Sequence, residues 1–302
     1  MFQFINTILI GLTSGAIYAL MALAIVLIWR STRVINFAQA GLALGSTYIG
    51  YQVTLSISNY WVALLVAMVA GALVAAFIEL AFMRVLLKHT SSGPIAGVAP
   101  IIATLGLLGI IKAVITMVWG GQDVIIQPPL SNTGFSIGEN TLVFSPMKLA
   151  IVLSVAVLVT LFSLIFQKTN IGLALRASAY SPEIARLAGV RVDFVRTLGW
   201  ALSGAAGAVA GMLLTSNGSG SFNPESLEFS LLLISGFIAA VIGGLESMVG
   251  AVIGGLVLGL ITAFVLMYIS SSLFFIAPFL ILMLVLYIRP QGLIGVKAGR
   301  RA

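Results

Sequence analysis

From Ile8 to Trp29 the chain reads "ILIGLTSGAIYALMALAIVLIW" without one charged residue, and similar apolar runs recur almost to its end. A helix of about 20 apolar residues crosses the roughly 30 Å hydrocarbon core of a bilayer. Inside that core every backbone polar group must find its partner within protein, which makes the helix the default building element. Reading apolar runs between polar breaks predicts spans at 6–29, 34–57, 60–83, 95–118, 148–166, 197–216, 229–247, 250–269 and 273–288. Soluble domains carry about 25% charged residues; this chain carries 8%, with 60% hydrophobic residues. The fold class is therefore an all-α polytopic membrane protein of about 8–10 transmembrane or re-entrant helices. It reads as one transmembrane domain over 1–302, with no sizeable water-soluble part. The glycine-broken pair within 229–269 also fits half-length or re-entrant segments, which are tolerated where protein or a cavity surrounds them.

Several classes of chemistry are excluded by what the chain lacks. It has no cysteine and a single histidine, His89, so disulfides and thiolate metal sites are ruled out and no metal site is expected. The net charge of +7 belongs to the basic loops of a membrane protein rather than to a nucleic-acid surface. The first basic residue, Arg30, follows the first apolar run; a secretory signal needs its basic region before that run, so the run reads as a retained span.

Orientation follows from the basic residues. In a nine-span arrangement Arg30, Arg33, Arg84, Lys88, Lys168, Arg176, the trio Arg186, Arg191 and Arg196, and the tail Arg289, Lys297, Arg300 and Arg301 all fall on one side. The positive-inside rule makes that side the cytoplasm. The N-terminus is then outside and the C-terminus inside. The outer side receives the 119–147 loop, with Asp123 and Glu139, and the loop "SNGSGSFNPESLE" with Glu225 and Glu228.

Ionisable groups within spans are few, and those of ion-coupled carriers are usually functional. Glu79 lies one turn from Arg84, and Lys112 is within about two turns of the outer end, where local pairing or snorkelling accounts for each. Energy therefore comes from another subunit, or the protein is a passive pore. Small residues recur at helical spacing in "SGAAGAVAGM" and "GGLESMVGAVIGGLVLGL", a pattern that lets helices approach closely, within one chain or between two. A break from Gly243 and Gly244 through Gly250 has a second reading, in which freed backbone lines a permeation path; Glu246 within it suits a turn at the membrane edge. Asn36 and Gln39, on one helical face just inside the membrane, either hydrogen-bond neighbouring helices or line that path.

The most charged segment is "ASAYSPEIARLAGVRVDFVR", Ala177 to Arg196, on the cytoplasmic side. Ser181 is a favourable N-cap, Pro182 occupies the first helical position, Glu183 suits the positive end of the helix dipole, and Gly189 supplies a left-handed stop. These delimit a helix of about two turns, too short to persist alone in water. It must dock, on the bundle, on the membrane surface or on a partner, and Ile184, Leu187 and Ala188 form its small apolar face with Glu183 and Arg186 beside it.

Three stretches in this order, "INFAQAG" (35–41), "IGLALRASAYSPEIARLAGVRVDFVRTLGWALSGAAGAVAGML" (171–213) and "VIGGLESMVGAVIGGLVLGL" (241–260), resemble the membrane subunits of branched-chain amino acid ABC importers, the LivH-type permeases. The similarity extends from about Gly11 to Gly292. In that family a cytoplasmic helix with an E-A-A-x-x-x-G-like signature docks in a groove of the ATPase subunit. "EIARLAG" matches it at Glu183, Ala185 and Gly189, with Ile184 in place of the middle alanine. The resemblance implies an ABC importer permease architecture, a cytoplasmic coupling segment over 167–196, and coupling through Arg176, Glu183, Ala185, Arg186 and Gly189. At the glycine-rich motif the chain departs from the usual G-G-x-G-S-x-P-G, with Glu246 and Val249 where Gly and Pro stand.

The function implied is translocation of branched-chain or other apolar amino acids across a bacterial inner membrane. The partners implied are ABC ATPase subunits, a second permease subunit, identical or homologous, and an extracytoplasmic substrate-binding protein. No G-x-x-x-x-G-K-[ST] phosphate loop occurs in the chain, so it is no ATPase; it needs no cofactor of its own, and ATP and magnesium belong to the partners. Permeases for urea or short amides share these motifs and are the nearest alternative. An energy-independent channel is the rival of another class, and it has no use for a capped docking helix. A membrane-embedded enzyme would need a cluster of catalytic groups that the sequence does not offer.

Overall fold

The computed structural model describes residues 2–90, 97–137, 140–289 and 291–294. Glu139, Lys297, Arg300 and Arg301, counted above for orientation, lie outside them. The chain is built almost wholly of helices: α1 (Phe2–Thr32), α2 (Gln39–Ile57), α3 (Tyr60–Ile78), which passes through a π turn (Glu79–Met83) into α4 (Arg84–His89), α5 (Ala99–Trp119), α6 (Pro146–Lys168), α7 (Asn170–Tyr180), α8 (Pro182–Leu187), α9 (Val192–Asn217), α10 (Leu227–Gly243), α11 (Met248–Phe264), extended by a π turn (Val265–Ile269), and α12 (Ala277–Ile288). Four two-residue strands, β1 (Val124–Ile125), β2 (Ser136–Ile137), β3 (Asn140–Thr141) and β4 (Ser221–Phe222), make two small ribbons, β1 with β4 and β2 with β3.

Among the described residues six helices are long and apolar enough to cross a membrane: α1, the continuous Tyr60–His89 rod, α5, α6, α9, and α11 with its extension. Helix α2 has 19 residues, about 28 Å at 1.5 Å per residue. Helices α10 and α12 are apolar but shorter, and the 270–276 stretch before α12 has 3-10 and turn geometry. Each of the nine expected runs thus holds a helix, and six of these helices are long and apolar enough for a span.

Helix α1 is the hub. Residues 19–28 are buried on every face, as expected of a helix apolar all round. Its neighbours approach through small residues. A Cβ on Gly255 would fall on the Ala19 backbone, and one on Gly259 on the Gly15 backbone. The matched order, Gly15 beside Gly255 and Gly11 beside Leu260, makes α1 and α11 antiparallel. On the next face of α11, Gly254 meets the Ala239 carbonyl of α10. The Gly250-x-x-x-Gly254 and Gly255-x-x-x-Gly259 repeats are therefore used within this chain, packing α11 on two neighbours by dispersion at close range.

Helix α9 is placed the same way. Its Gly204 touches Gly71 of α3, and its Gly211 meets Ala43 and Thr47 of α2. Ser203 Oγ donates to the Ala24 carbonyl of α1 at 2.7 Å, and the Tyr60 hydroxyl to the Met212 carbonyl at 3.1 Å. These registers run α9 alongside α2 and against α1 and α3.

The bundle has two distinct poles. At one, Arg33 reaches Glu246 and the Ala179 carbonyl, and Arg84 reaches the Asp193 carbonyl and the Thr197 hydroxyl. At the other, β1 pairs with β4, Lys112 pairs with Glu225 at 3.2 Å, and Asn223 donates to Asp123 at 2.6 Å. The basic clusters read from the sequence thus share the first pole, wherever they fall on described residues.

Candidate functional site

At the basic pole α8 is built as its residues dictate. Ser181 Oγ accepts from the Ile184 amide at 3.3 Å, Pro182 fills the first helical position, and Gly189 sits at φ +82. That left-handed residue lets the Gly189 amide donate to the Arg186 carbonyl and the Val190 amide to the Ala185 carbonyl, at 3.0 and 2.9 Å, which satisfies the helix's last acceptors. Ala185 is buried, while Glu183, Arg186 and Gly189 are exposed. Arg186 pairs with Asp193 at 3.4 Å, tying α8 to the start of α9.

The apolar face of α8 points away from the protein. Leu187 is 89% exposed and Ile184 63%, flanked by Tyr180 at 91% and Phe194 at 61%. A helix this short holds its shape through its caps and the single buried Ala185, leaving its large apolar side chains unused by the chain's own core. Glu183, Ala185, Arg186 and Gly189 thus come together on one element. Arg176 stands apart on α7, where with Arg30 and Glu246 it lines a cavity of about 320 Å³ between α1, α6, α7 and the start of α11. Helix α7, inside the expected 167–196 segment, was not anticipated as a helix; its signal is Thr169, whose Oγ1 accepts from the Gly172 amide as an N-cap.

Behind this pole the Tyr60–His89 rod carries a buried charge. Glu79 has no exposed surface and takes hydrogen bonds from Arg84 Nε at 3.3 Å, Arg84 Nη2 at 3.0 Å and Thr197 Oγ1 at 2.6 Å. A buried carboxylate is tolerable when paired and hydrogen-bonded in this way.

Asn36 and Gln39 sit where α1 hands over to α2. Residues 34–36 are not helical, and Asn36 and Gln39 are both buried. Asn36 Oδ1 accepts from the Ala38 amide at 3.0 Å, and the Phe37 amide donates to Thr104 Oγ1 at 3.3 Å. Gln39 Nε2 donates to the Ser203 carbonyl at 3.1 Å, and Ser203 Oγ also reaches Gln39 Oε1 at 3.2 Å. Irregular backbone survives at membrane depth when its polar groups are met like this. Gln39 is wholly engaged in joining α2 to α9. Asn36 accepts from the backbone just ahead of α2 and lines a cavity of about 170 Å³ with Ile25, Phe37, Phe237, Phe279 and Leu282.

A second cavity, of about 390 Å³, lies toward the other pole among α1, the end of α9, α10, α11 and the start of α12. The two cavities share Ile234 and Phe279, so they lie in line along α10. Neither was legible in the sequence, because each is assembled from four or five separate segments.

The glycine break lies at the basic pole. Gly243 and Gly250 are pressed backbone to backbone, with Gly244 at φ +100 completing the turn. The freed Ile242 and Gly243 carbonyls accept from the Leu293 and Ile294 amides at 2.7 and 3.3 Å. Glu246, half-exposed, sits in this turn and pairs with Arg33, as a turn at the membrane edge allows.

Comparison with known proteins bears on all of this. The family model described as "Branched-chain amino acid transport system / permease component" matches residues 7–287. The probable branched-chain amino acid transport permease protein LivH of Methanocaldococcus jannaschii is 32% identical over 292 residues, 92% of this chain and 88% of the relative. The high-affinity branched-chain amino acid transport system permease protein LivH of Escherichia coli is 28% identical over 298 residues, 97% and 96% of the two chains. The high-affinity branched-chain amino acid transport system permease protein BraD of Pseudomonas aeruginosa is 27% identical over 300 residues, again 97% and 96%. No solved structure matches the chain significantly.

Proposed function

The chain belongs to the branched-chain amino acid transport permease family, and from that premise we propose that it is the membrane-spanning subunit of a binding-protein-dependent ABC importer for branched-chain and other apolar amino acids. In this reading ATP and magnesium are handled by ATPase subunits at the basic pole, which faces the cytoplasm. A binding protein delivers substrate at the opposite pole, and a second permease, identical or homologous, completes the pathway. In this reading the chain sits as a multi-pass protein in the bacterial inner membrane, with its N-terminus outside and its C-terminus inside.

The observation that carries the reading is α8. A capped helix with Ile184 and Leu187 turned outward, on a pole rich in arginine, is shaped for a protein groove and costs solubility otherwise. Arg33 supplies a mechanical route inward from it. The same guanidinium binds the α7 carbonyl at Ala179 and the α10–α11 turn at Glu246, and its own backbone leads within three residues to Asn36. Displacement of α7 and α8 by a partner would therefore bear on the α1–α2 junction and on the cavities beside α10. Energy enters at the pole and reaches the path through contiguous hydrogen bonds and packed backbone. A substrate would meet the larger cavity first and the one at Asn36 next, separated by Ile234 and Phe279.

The test is reconstitution with candidate ATPase, second-permease and binding-protein subunits from the same organism, followed by uptake of labelled leucine, isoleucine, valine, urea and acetamide. ATP-dependent uptake of the amino acids is expected. Urea or acetamide uptake without them would move the substrate class, and uptake without ATP would make the protein a channel.

A further inference from the structure

The cavity of about 390 Å³ is within the size range of small-ligand sites, and its lining is chemically divided. Ile17, Leu231, Leu232, Phe274, Phe275 and Phe279 make an apolar wall, while Ser14, Tyr18, Asn217, Glu228 and Ser235 supply polar groups. Two of these have unspent hydrogen-bonding capacity. Asn217 Oδ1 is buried without any hydrogen-bond partner, a costly condition for an amide. Glu228 is the one charged residue of the lining, and among the described residues no cation or donor meets its carboxylate. Glu225, one turn earlier, has its cation in Lys112.

We infer that this cavity is a transit site for a zwitterionic α-amino acid with an aliphatic side chain, in which Glu228 and Asn217 Oδ1 receive the α-ammonium group. The inference rests on the importer reading and assigns it a site. An ammonium is the group that two open acceptors, one of them anionic, select by charge-assisted hydrogen bonds. The Tyr18 and Ser14 hydroxyls are donors available to the substrate carboxylate, with Ser235 hydrogen-bonded to Tyr18 behind them. The aliphatic side chain is left to the Phe274, Phe275 and Phe279 wall, where burial favours it in proportion to its apolar area. An amide or urea brings no cation to Glu228, which is exposed to solvent, so it lacks the charge-assisted hydrogen bond that favours the ammonium. Phe279 and Ile234, common to this cavity and the next, are what the substrate must pass to reach Asn36.

The absence of cysteine from the chain makes a direct test simple. In the assembled transporter in proteoliposomes, Gly218→Cys, which lines the cavity without a proposed substrate contact and has room for a Cβ, is labelled from outside with a membrane-impermeant methanethiosulfonate, alone and with leucine, 3-methylbutylamine or 4-methylpentanoate. Leucine and the amine, which carry the cation, are expected to slow labelling, and 4-methylpentanoate to leave it unchanged. Adding Glu228→Gln should raise the leucine concentration for half-protection about tenfold or more, the loss of one charge-assisted hydrogen bond. Equal protection by 4-methylpentanoate would show a merely apolar pocket and overturn the proposal. So would an absence of protection by leucine in a complex that still imports it. A wild-type complex that imports no amino acid would instead overturn the importer reading beneath it.

Discussion

Arg33 and Glu246, 213 positions apart in sequence, meet at 2.6 Å, and the same arginine holds the carbonyl of Ala179 at 3.2 Å. One side chain thus joins the α1–α2 junction, the α10–α11 turn and the end of α7. Both partners are about half exposed, so the pair contributes at most about 1 kcal/mol to stability. Arg33→Ala should lower the detergent unfolding free energy by less than that while sharply reducing uptake, and Arg33→Glu with Glu246→Arg should recover part of the uptake. Equal loss of stability and transport would make the contact structural only.

Glu79 gives the opposite balance. Its carboxylate is fully buried and depends on Arg84 and Thr197. Arg84→Met leaves that charge unpaired and is expected to cost about 3–5 kcal/mol, whereas Thr197→Val removes the hydroxyl that donates to Glu79 and accepts from Arg84 and should cost about 1–3 kcal/mol. Glu79→Gln combined with Arg84→Met should restore much of the stability, because no buried charge remains. Thermal unfolding in detergent reads all of these.

The α1–α11 crossing is fixed by missing side chains. Gly255→Val would drive two methyl groups into the Ala19 backbone, at an expected cost of about 1–3 kcal/mol or more, since backbone cannot turn aside as a side chain can. Gly97→Val is the control, with open space around it. The measurement is the fraction of monodisperse protein after extraction and heating.

Asn36→Leu removes the acceptor of the Ala38 amide and should destabilise the start of α2 by about 1 kcal/mol. Asn36→Asp keeps that acceptor and should hold more of the stability. Because Asn36 also lines the inner cavity, uptake should fall in both, and a difference between them in uptake per folded molecule isolates the path from the fold.

Much of this architecture was legible in the residues. The apolar runs place the apolar helices of the bundle, and Ser181, Pro182 and Gly189 bracket α8, because caps and breakers act locally. The boundaries that moved did so for tertiary reasons. Helix α2 starts at Gln39 rather than near 34, since Asn36 and Thr104 meet the amides of an extended junction. Helix α10 ends at Gly243, since the C-terminal segment takes its last carbonyls. The local pair Glu79 and Arg84 was visible from spacing. The pairs Arg33 with Glu246 and Lys112 with Glu225 were not, because they join segments more than a hundred residues apart. The cavity with Glu228 was hidden for the same reason.

The account turns on α8 as the place where a partner's motion enters the bundle. Leu187→Cys in the assembled complex, treated with a short bismaleimide, tests it most directly. It should cross-link to the ATPase subunit, while Leu105→Cys, exposed on the membrane-spanning α5, should not. A complex that imports leucine with Leu187→Cys free of any cross-link to the ATPase would contradict it.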